Sequence, residues 1–147
     1  MANTLVAIVG CGKVAHIHAK ALRSIPDVEL TAVCDASAER AGAFASEYGA
    51  RGFSELTTML REGRPQAVLI CTPHPLHAAP AIEAAQAGVH VLVEKPLAAT
   101  LADCDAMLAA ARKAGIQLGV ISQRRLYEPV QRMRQAWPTT RIALLTQ

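Results

Sequence analysis

Thr4-Leu5-Val6-Ala7-Ile8-Val9-Gly10-Cys11-Gly12-Lys13-Val14-Ala15 is the stretch on which the fold turns. Its first six residues form a short, β-branched apolar run that reads as a strand, and Lys13–Ser24 reads as a helix ended by Ile25-Pro26-Asp27. A GxGxxA pattern alone is weak. Placed in the first strand–turn–helix of a βαβ unit it has the context that gives it meaning. Gly10 permits the tight turn, and Gly12 lets the backbone approach a pyrophosphate without a Cβ in the way. Ala15, standing where a third glycine is common, still lets the helix pack close to the strand. The helix N-terminus offers its free N–H groups to an anion. Asp35 ends the second strand at the distance where a carboxylate would accept hydrogen bonds from an adenosine ribose and repel a 2′-phosphate. That favours NAD over NADP, while Ser37 and Arg40 keep NADP open because they could reach a 2′-phosphate or stack on adenine. The competing reading is a plain strand–helix turn with Asp35 capping the next helix; the combined spacing favours dinucleotide binding.

Outward from this unit the alternation continues. Strands are expected at Glu29–Cys34, Arg51–Phe53, Ala67–Cys71, Val89–Val93 and Gln117–Ser122. Helices are expected at Ser37–Tyr48, Ser54–Arg61 with Ser54 as N-cap, Pro75–Ala87 and Thr100–Ala114, with Gly49, Gly88 and Gly115 closing three of them. The strands are continuously apolar rather than alternating, which means burial on both faces and hence a parallel sheet covered by helices. The expectation is an α/β, Rossmann-type doubly wound parallel sheet of about six strands with helices on both faces. After Ser122 the pattern weakens: Tyr127–Ala136 suits one more helix, Trp137-Pro138 would stop it, and Thr140–Thr146 suits a strand. The organisation expected is a dinucleotide-binding domain over residues 1–122 and a connecting helix with the start of a further domain over residues 123–147.

Composition fits this frame. The chain has 147 residues, 52% hydrophobic but only 3% aromatic, and about a fifth is alanine, which suits helices packed closely on a sheet. A net charge of +3 is mild, and without a stronger basic bias or base-stacking aromatics it argues against a nucleic-acid partner. The late arginines Arg124, Arg125, Arg132, Arg134 and Arg141 read as a solvated helix face. Cys11, Cys34, Cys71 and Cys104 form no CxxC pair and read as buried thiols of a reducing compartment. With no run of about 18 apolar residues and no charged leader, the expectation is a cytoplasmic chain without a membrane partner.

In an open parallel sheet, ligands sit beyond the carboxyl ends of the strands. Three more segments fall there: Cys71-Thr72-Pro73-His74-Pro75-Leu76-His77, Glu94-Lys95-Pro96 and Ser122-Gln123-Arg124-Arg125. His74 and His77 could share a helix face, but no further ligand sits at metal spacing, so no metal is expected. His16 and His18 read as surface or packing residues. Opposite charges directly after a buried strand are rarely there for packing. A Lys95 held beside a nicotinamide, its pKa lowered by burial, could polarise or protonate a substrate oxygen. The plainer alternative is a capping ion pair between Glu94 and Lys95.

Together these segments resemble the Gfo/Idh/MocA family of NAD(P)-dependent oxidoreductases over about residues 4–135. The most specific part is Cys71-Thr72-Pro73…His77 followed by Ala87-Gly88-Val89-His90-Val91-Leu92-Val93-Glu94-Lys95-Pro96-Leu97, and Gln123-Arg124-Arg125…Pro129 adds to it. The resemblance implies that Gly10, Gly12, Lys13 and Val14 hold the pyrophosphate and Asp35 and Arg40 the adenosine end. Cys71, Thr72, Pro73, His74 and His77 would line the cofactor path. Glu94 and Lys95 would sit by the nicotinamide, with Lys95 catalytic, and Gln123 and Arg124 would close the site. His74 departs from the family, which often carries Asn there. Family members are more than twice as long, and their second domain carries most substrate contacts, further catalytic groups and much of the oligomer interface. The resemblance thus implies the NAD-binding part (NADP being the other cofactor open to it) of an enzyme moving a hydride to or from a sugar- or polyol-like substrate. This chain alone should bind dinucleotide, turn over little and self-associate through surface a second domain would cover. The alternative is a non-catalytic dinucleotide-binding module that senses or completes a partner's site.

Overall fold

The computed structural model describes residues 3–136, so the expected stop at Trp137-Pro138 and the strand expected at Thr140–Thr146 lie outside the described residues. Six parallel strands form one sheet: β1 (Thr4–Val9), β2 (Val28–Cys34), β3 (Arg51–Phe53), β4 (Ala67–Ile70), β5 (His90–Val93) and β6 (Leu118–Val120). Their order is β3-β2-β1-β4-β5-β6. The chain therefore winds outward from β1 to one edge, crosses back beside β1, and winds to the other edge. This is the doubly wound sheet expected from the apolar strands.

The helices are α1 (Lys13–Leu22), α2 (Ala38–Tyr48), α3 (Leu56–Gly63), α4 (Ala78–Gln86), α5 (Leu101–Ala114) and α6 (Glu128–Ala136). Residues of α1 and α2 pack on one sheet face, where Ala15, Ala19 and Phe44 meet Ile8, Val33 and Leu69. Residues of α3, α4 and α5 pack on the other, where Met59, Ala84 and Met107 meet Val68, Ile70 and Val93. The alanine-rich composition is legible in this packing: Ala15, Ala19 and Ala84 are completely buried, so each helix approaches the sheet at the distance a methyl side chain allows. Ser37 and Thr100 cap α2 and α5 by accepting hydrogen bonds from Arg40 N and Asp103 N. Gly49 and Gly115 close these helices as expected.

Two helices differ from expectation. α3 starts at Leu56 rather than Ser54, with Glu55 at its N-cap and no side-chain cap, and it continues to Gly63. Packing sets that phase: Met59 is fully buried, and a Cβ on Gly63 would sit 3.2 Å from the Ala32 methyl under β2. The single helix expected over Pro75–Ala87 is instead a 3₁₀ turn, His74–Leu76, followed by α4 from Ala78. His77 sits between them with a fully buried ring, which fixes the bend. No described helix is long and apolar enough to cross a membrane.

Candidate functional site: the carboxyl ends of the strands

The parallel ladder extends one residue past the strands and aligns the loops on one edge. Gly10 N donates to Cys34 O (2.7 Å), Cys71 N to Val9 O (2.7 Å), Glu94 N to Ile70 O (3.0 Å) and Ile121 N to Val93 O (2.8 Å). Four of the segments singled out from sequence thus start from one rim. Between the halves of the sheet, where the winding reverses beside β1, a cleft of about 820 Å³ opens. Such reversal points are where open α/β sheets hold ligands.

Gly10, Gly12, Lys13, Val14, Asp35 and Arg40 line one side of this cleft; Cys71, Thr72, Pro73 and His74 line the other. Sequence reading missed Leu56, Ala79 and Pro80, which also line it; they carry no polar group that would have marked them. Gly12 is the N-cap of α1, with no side chain capping the helix, and a Cβ built there meets nothing within 4 Å. Ala15 N is bonded to Gly12 O at 3.0 Å, which leaves the Lys13 and Val14 N–H groups of the first turn beside the open space at Gly12, a cradle that a side chain at position 12 would fill.

Asp35 is the organising charge. Its Oδ2 accepts from Cys11 N (2.9 Å), and its Oδ1 from Ser37 N (2.9 Å) and from Arg40 Nε (3.1 Å) and Nη2 (2.9 Å). Burial alone would raise its carboxyl, but the hydrogen bonds from Arg40, Ser37 and Cys11 outweigh burial and hold it below the ordinary carboxylate range. Asp35 braces the turn into α2, as the plainer reading has it, and its residue also lines the cleft. Arg40 is fixed by this pair, although its side chain is 63% exposed. The three thiols beside the cleft are buried, and burial pushes them up: Cys11 and Cys71 to about 12, Cys34 to about 11. Cys104 departs from expectation, being only half-buried on α5.

The remaining expected site residues are placed differently. His77 does not line the cleft. It is completely buried, with Nδ1 2.8 Å from Pro96 O and Nε2 2.9 Å from Thr72 O. Carbonyl oxygens only accept, so both bonds together need a hydrogen on each ring nitrogen. Glu94 does not pair with the Lys95 ammonium as a capping ion pair would. Its Oε1 accepts from His18 Nε2 at 2.7 Å and its Oε2 from the Lys95 backbone N–H at 3.0 Å. Lys95 itself is exposed, not buried as its expected role assumed. Gln123 and Arg124 lie exposed on a 3₁₀ turn, Gln123–Leu126, and do not line the cleft. His18, read as a surface or packing residue, reaches Glu94 across 76 positions of chain; a helical histidine carries no sequence signal for so distant a partner. Among the described residues no group of three or more His, Cys, Asp or Glu side chains is gathered as a metal site.

A six-stranded doubly wound sheet with an uncapped helix N-terminus and a strand-end carboxylate at its reversal point defines a Rossmann domain. Residues 4–122 match the Gfo/Idh/MocA oxidoreductase family model for an NAD-binding Rossmann fold, and the chain belongs to that family. It is 37% identical over 131 residues to the D-apiose dehydrogenase of Paraburkholderia graminis, a match covering 88% of this chain and 35% of that protein. It is also 37% identical over 113 residues to the NADP(+)-dependent scyllo-inositol 2-dehydrogenase IolU of Bacillus subtilis, covering 76% and 34%. Among solved structures it resembles the WlbA dehydrogenase of Bordetella pertussis in complex with NADH and UDP-GlcNAcA, with a TM-score of 0.91 and 36% identity, covering 97% of this chain and 41% of that one. The chain thus spans little more than a third of the length of the curated relatives named here.

Proposed function

We propose that this chain binds NAD in the strand-end cleft, as the nucleotide-binding part of an oxidoreductase acting on a sugar- or polyol-like substrate. The observation that carries the reading is the open cradle at Gly12 facing the same cleft as Asp35. The α1 N–H groups of Lys13 and Val14, with Gly10 and Gly12, would take the pyrophosphate. Asp35 would accept from the adenosine ribose, leaving Arg40 to lie along the adenine. Asp35 also disfavours a 2′-phosphate, so NAD is the better-fitting cofactor, and the bound Arg40 is the group that would admit NADP. Cys71, Thr72, Pro73 and His74 line the path toward β5, where Glu94 and Lys95 would flank the nicotinamide. Names of relatives support the substrate class: D-apiose is a sugar and scyllo-inositol a polyol.

When bound, the nicotinamide supplies the carbon that gives or takes hydride. What this chain supplies is position and one proton-carrying side chain, Lys95, whose exposed ammonium would hydrogen-bond a substrate oxygen. A single such group on an open rim neither excludes water nor orients a substrate, so residues 1–122 act as the nucleotide-binding domain and residues 123–147 lead toward the part of the enzyme that does both. Gln123 and Arg124 belong to that approach and would close over the cofactor when it is in place. Exposed Leu126, Tyr127, Val130 and Met133 on this segment suit self-association of the isolated chain. Three buried free thiols suit a reducing compartment, the cytoplasm. Calorimetric titration with NADH and NADPH at fixed salt tests the reading. Saturable binding with NADH preferred is expected; no binding of either would overturn it.

A further inference from the structure

We propose that His18 and His77 are positioning residues that grip the Lys95 segment from both sides and hold it in one frame with the phosphate-binding helix. The proposal rests on the dinucleotide reading for its purpose, but its geometry stands on the fold alone. Lys95 has an exposed side chain on a held backbone. On its amino side, Glu94 is 8% exposed, and its carboxylate is engaged at both oxygens, by His18 Nε2 and by the Lys95 N–H. On its carboxyl side, the Pro96 carbonyl is held by His77 Nδ1, while the opposite ring nitrogen is held at Thr72 O.

Each histidine comes from a different element of the cleft. His18 lies on α1, whose first turn presents N–H groups at Gly12; His77 lies at the start of α4, and its Thr72 partner lines the cleft's far wall. Pyrophosphate end, far wall and Lys95 are thereby linked through two histidine rings, His77 making both its links with a hydrogen on each ring nitrogen. Neither ring would contact the bound nucleotide in this arrangement, because His77 is fully buried and the His18 side chain is 18% exposed and spent on Glu94. Burial makes the links costly to break. Removing His18 leaves a carboxylate oxygen of a buried Glu94 without its donor, and the Lys95 segment would shift to regain one.

The test uses the full chain, ¹⁵N-labelled and titrated with ADP-ribose and with NADH. ADP-ribose reports the adenosine and pyrophosphate end alone; NADH adds the nicotinamide end, where Lys95 sits. His18→Ala is expected to leave ADP-ribose affinity within about twofold, and to lower NADH affinity by about five- to tenfold, the size of one ordinary hydrogen bond. It is also expected to shift the Lys95 amide resonance, and His18→Gln, which retains an N–H donor, should recover most of the NADH loss. His77→Ala should displace the same Lys95 resonance; if its buried site does not tolerate the change, the His18 pair decides. Equal losses for both ligands, no loss for either, or an unmoved Lys95 amide in His18→Ala would overturn the proposal. Should the unmodified chain bind neither ligand, the dinucleotide reading fails, and the Lys95 resonance still decides whether the grip exists.

Discussion

Gly10 and Thr72, more than sixty positions apart in the chain, touch backbone to backbone at the centre of the cleft. A Cβ built on Gly10 would lie 2.8 Å from Thr72 N and 2.9 Å from the Cys71 carbonyl carbon, and Gly10 has φ +92°. Gly12 has φ −82° and open space around it. The two glycines of one motif therefore differ in their surroundings: Gly10 lets β1 and β4 close together, and Gly12 leaves open space at the start of α1. Gly10→Ala should destabilise the fold by about 2–4 kcal/mol, through strain and a backbone clash with no flexible side chain to yield. Gly12→Ala should melt like the unmodified chain yet lose nucleotide binding. Thermal melts paired with calorimetry on both variants check this; a Gly12→Ala chain that binds NADH normally would remove the pyrophosphate from this loop.

Asp35→Ala deletes the hydrogen bonds that the Arg40 guanidinium and the Cys11 N–H donate to its carboxylate. NADH affinity should fall, and the gap between NADH and NADPH should narrow, because the ribose acceptor and the repulsion of a 2′-phosphate disappear together. Parallel titrations with the two cofactors give the ratio, and an unchanged ratio would show that Asp35 is not the selector.

The lowered Asp35 carboxyl sets an acid limit. An unfolded Asp titrates near 3.9, and the folded group lies lower. Its contribution is therefore complete above the unfolded value and is lost as pH falls through the folded one. The Cys11 and Ser37 amide resonances should hold steady from neutral pH to about pH 4 and move only below it. A transition in these amides between pH 5 and 7 would contradict the pairing.

The thiols set the opposite limit. Cys11, Cys34 and Cys71 are raised by burial first and then by nearby carboxylates, Asp35 for the first two and Glu94 for Cys71. Groups raised in the folded state favour folding below their unfolded value, near 8.5, and that stability is lost as pH rises toward 11 to 12. The melting temperature should fall between pH 8 and pH 11, less so in Cys71→Ala. At neutral pH a thiol reagent should modify Cys104 well before the other three, and equal labelling rates would show that the cleft cysteines open readily.

The sequence by itself determined the sheet and the side of the cleft that the glycine loop and Asp35 line. Continuous apolar strands point to burial on both faces, which holds at the centre of the sheet in β1 and β4, whereas in β5 Leu92 stays exposed between buried Val91 and Val93. GxGxxA with Asp35 is local enough to read because its parts are joined by one strand–helix–strand unit. Where each helix started was less legible: α3 begins at Leu56, since Met59 must lie under β2, a packing fact that a cap signal at Ser54 does not contain. The partners of the charged and titratable groups were decided only by the tertiary structure. Whether Glu94 met Lys95 or His18, and whether His77 faced the cleft or the Pro96 carbonyl, depended on which elements the parallel ladder set side by side. Hydrogen bonds between groups 19 or 76 positions apart leave no periodicity in a chain, because periodicity records burial along one element and not the neighbour across the fold.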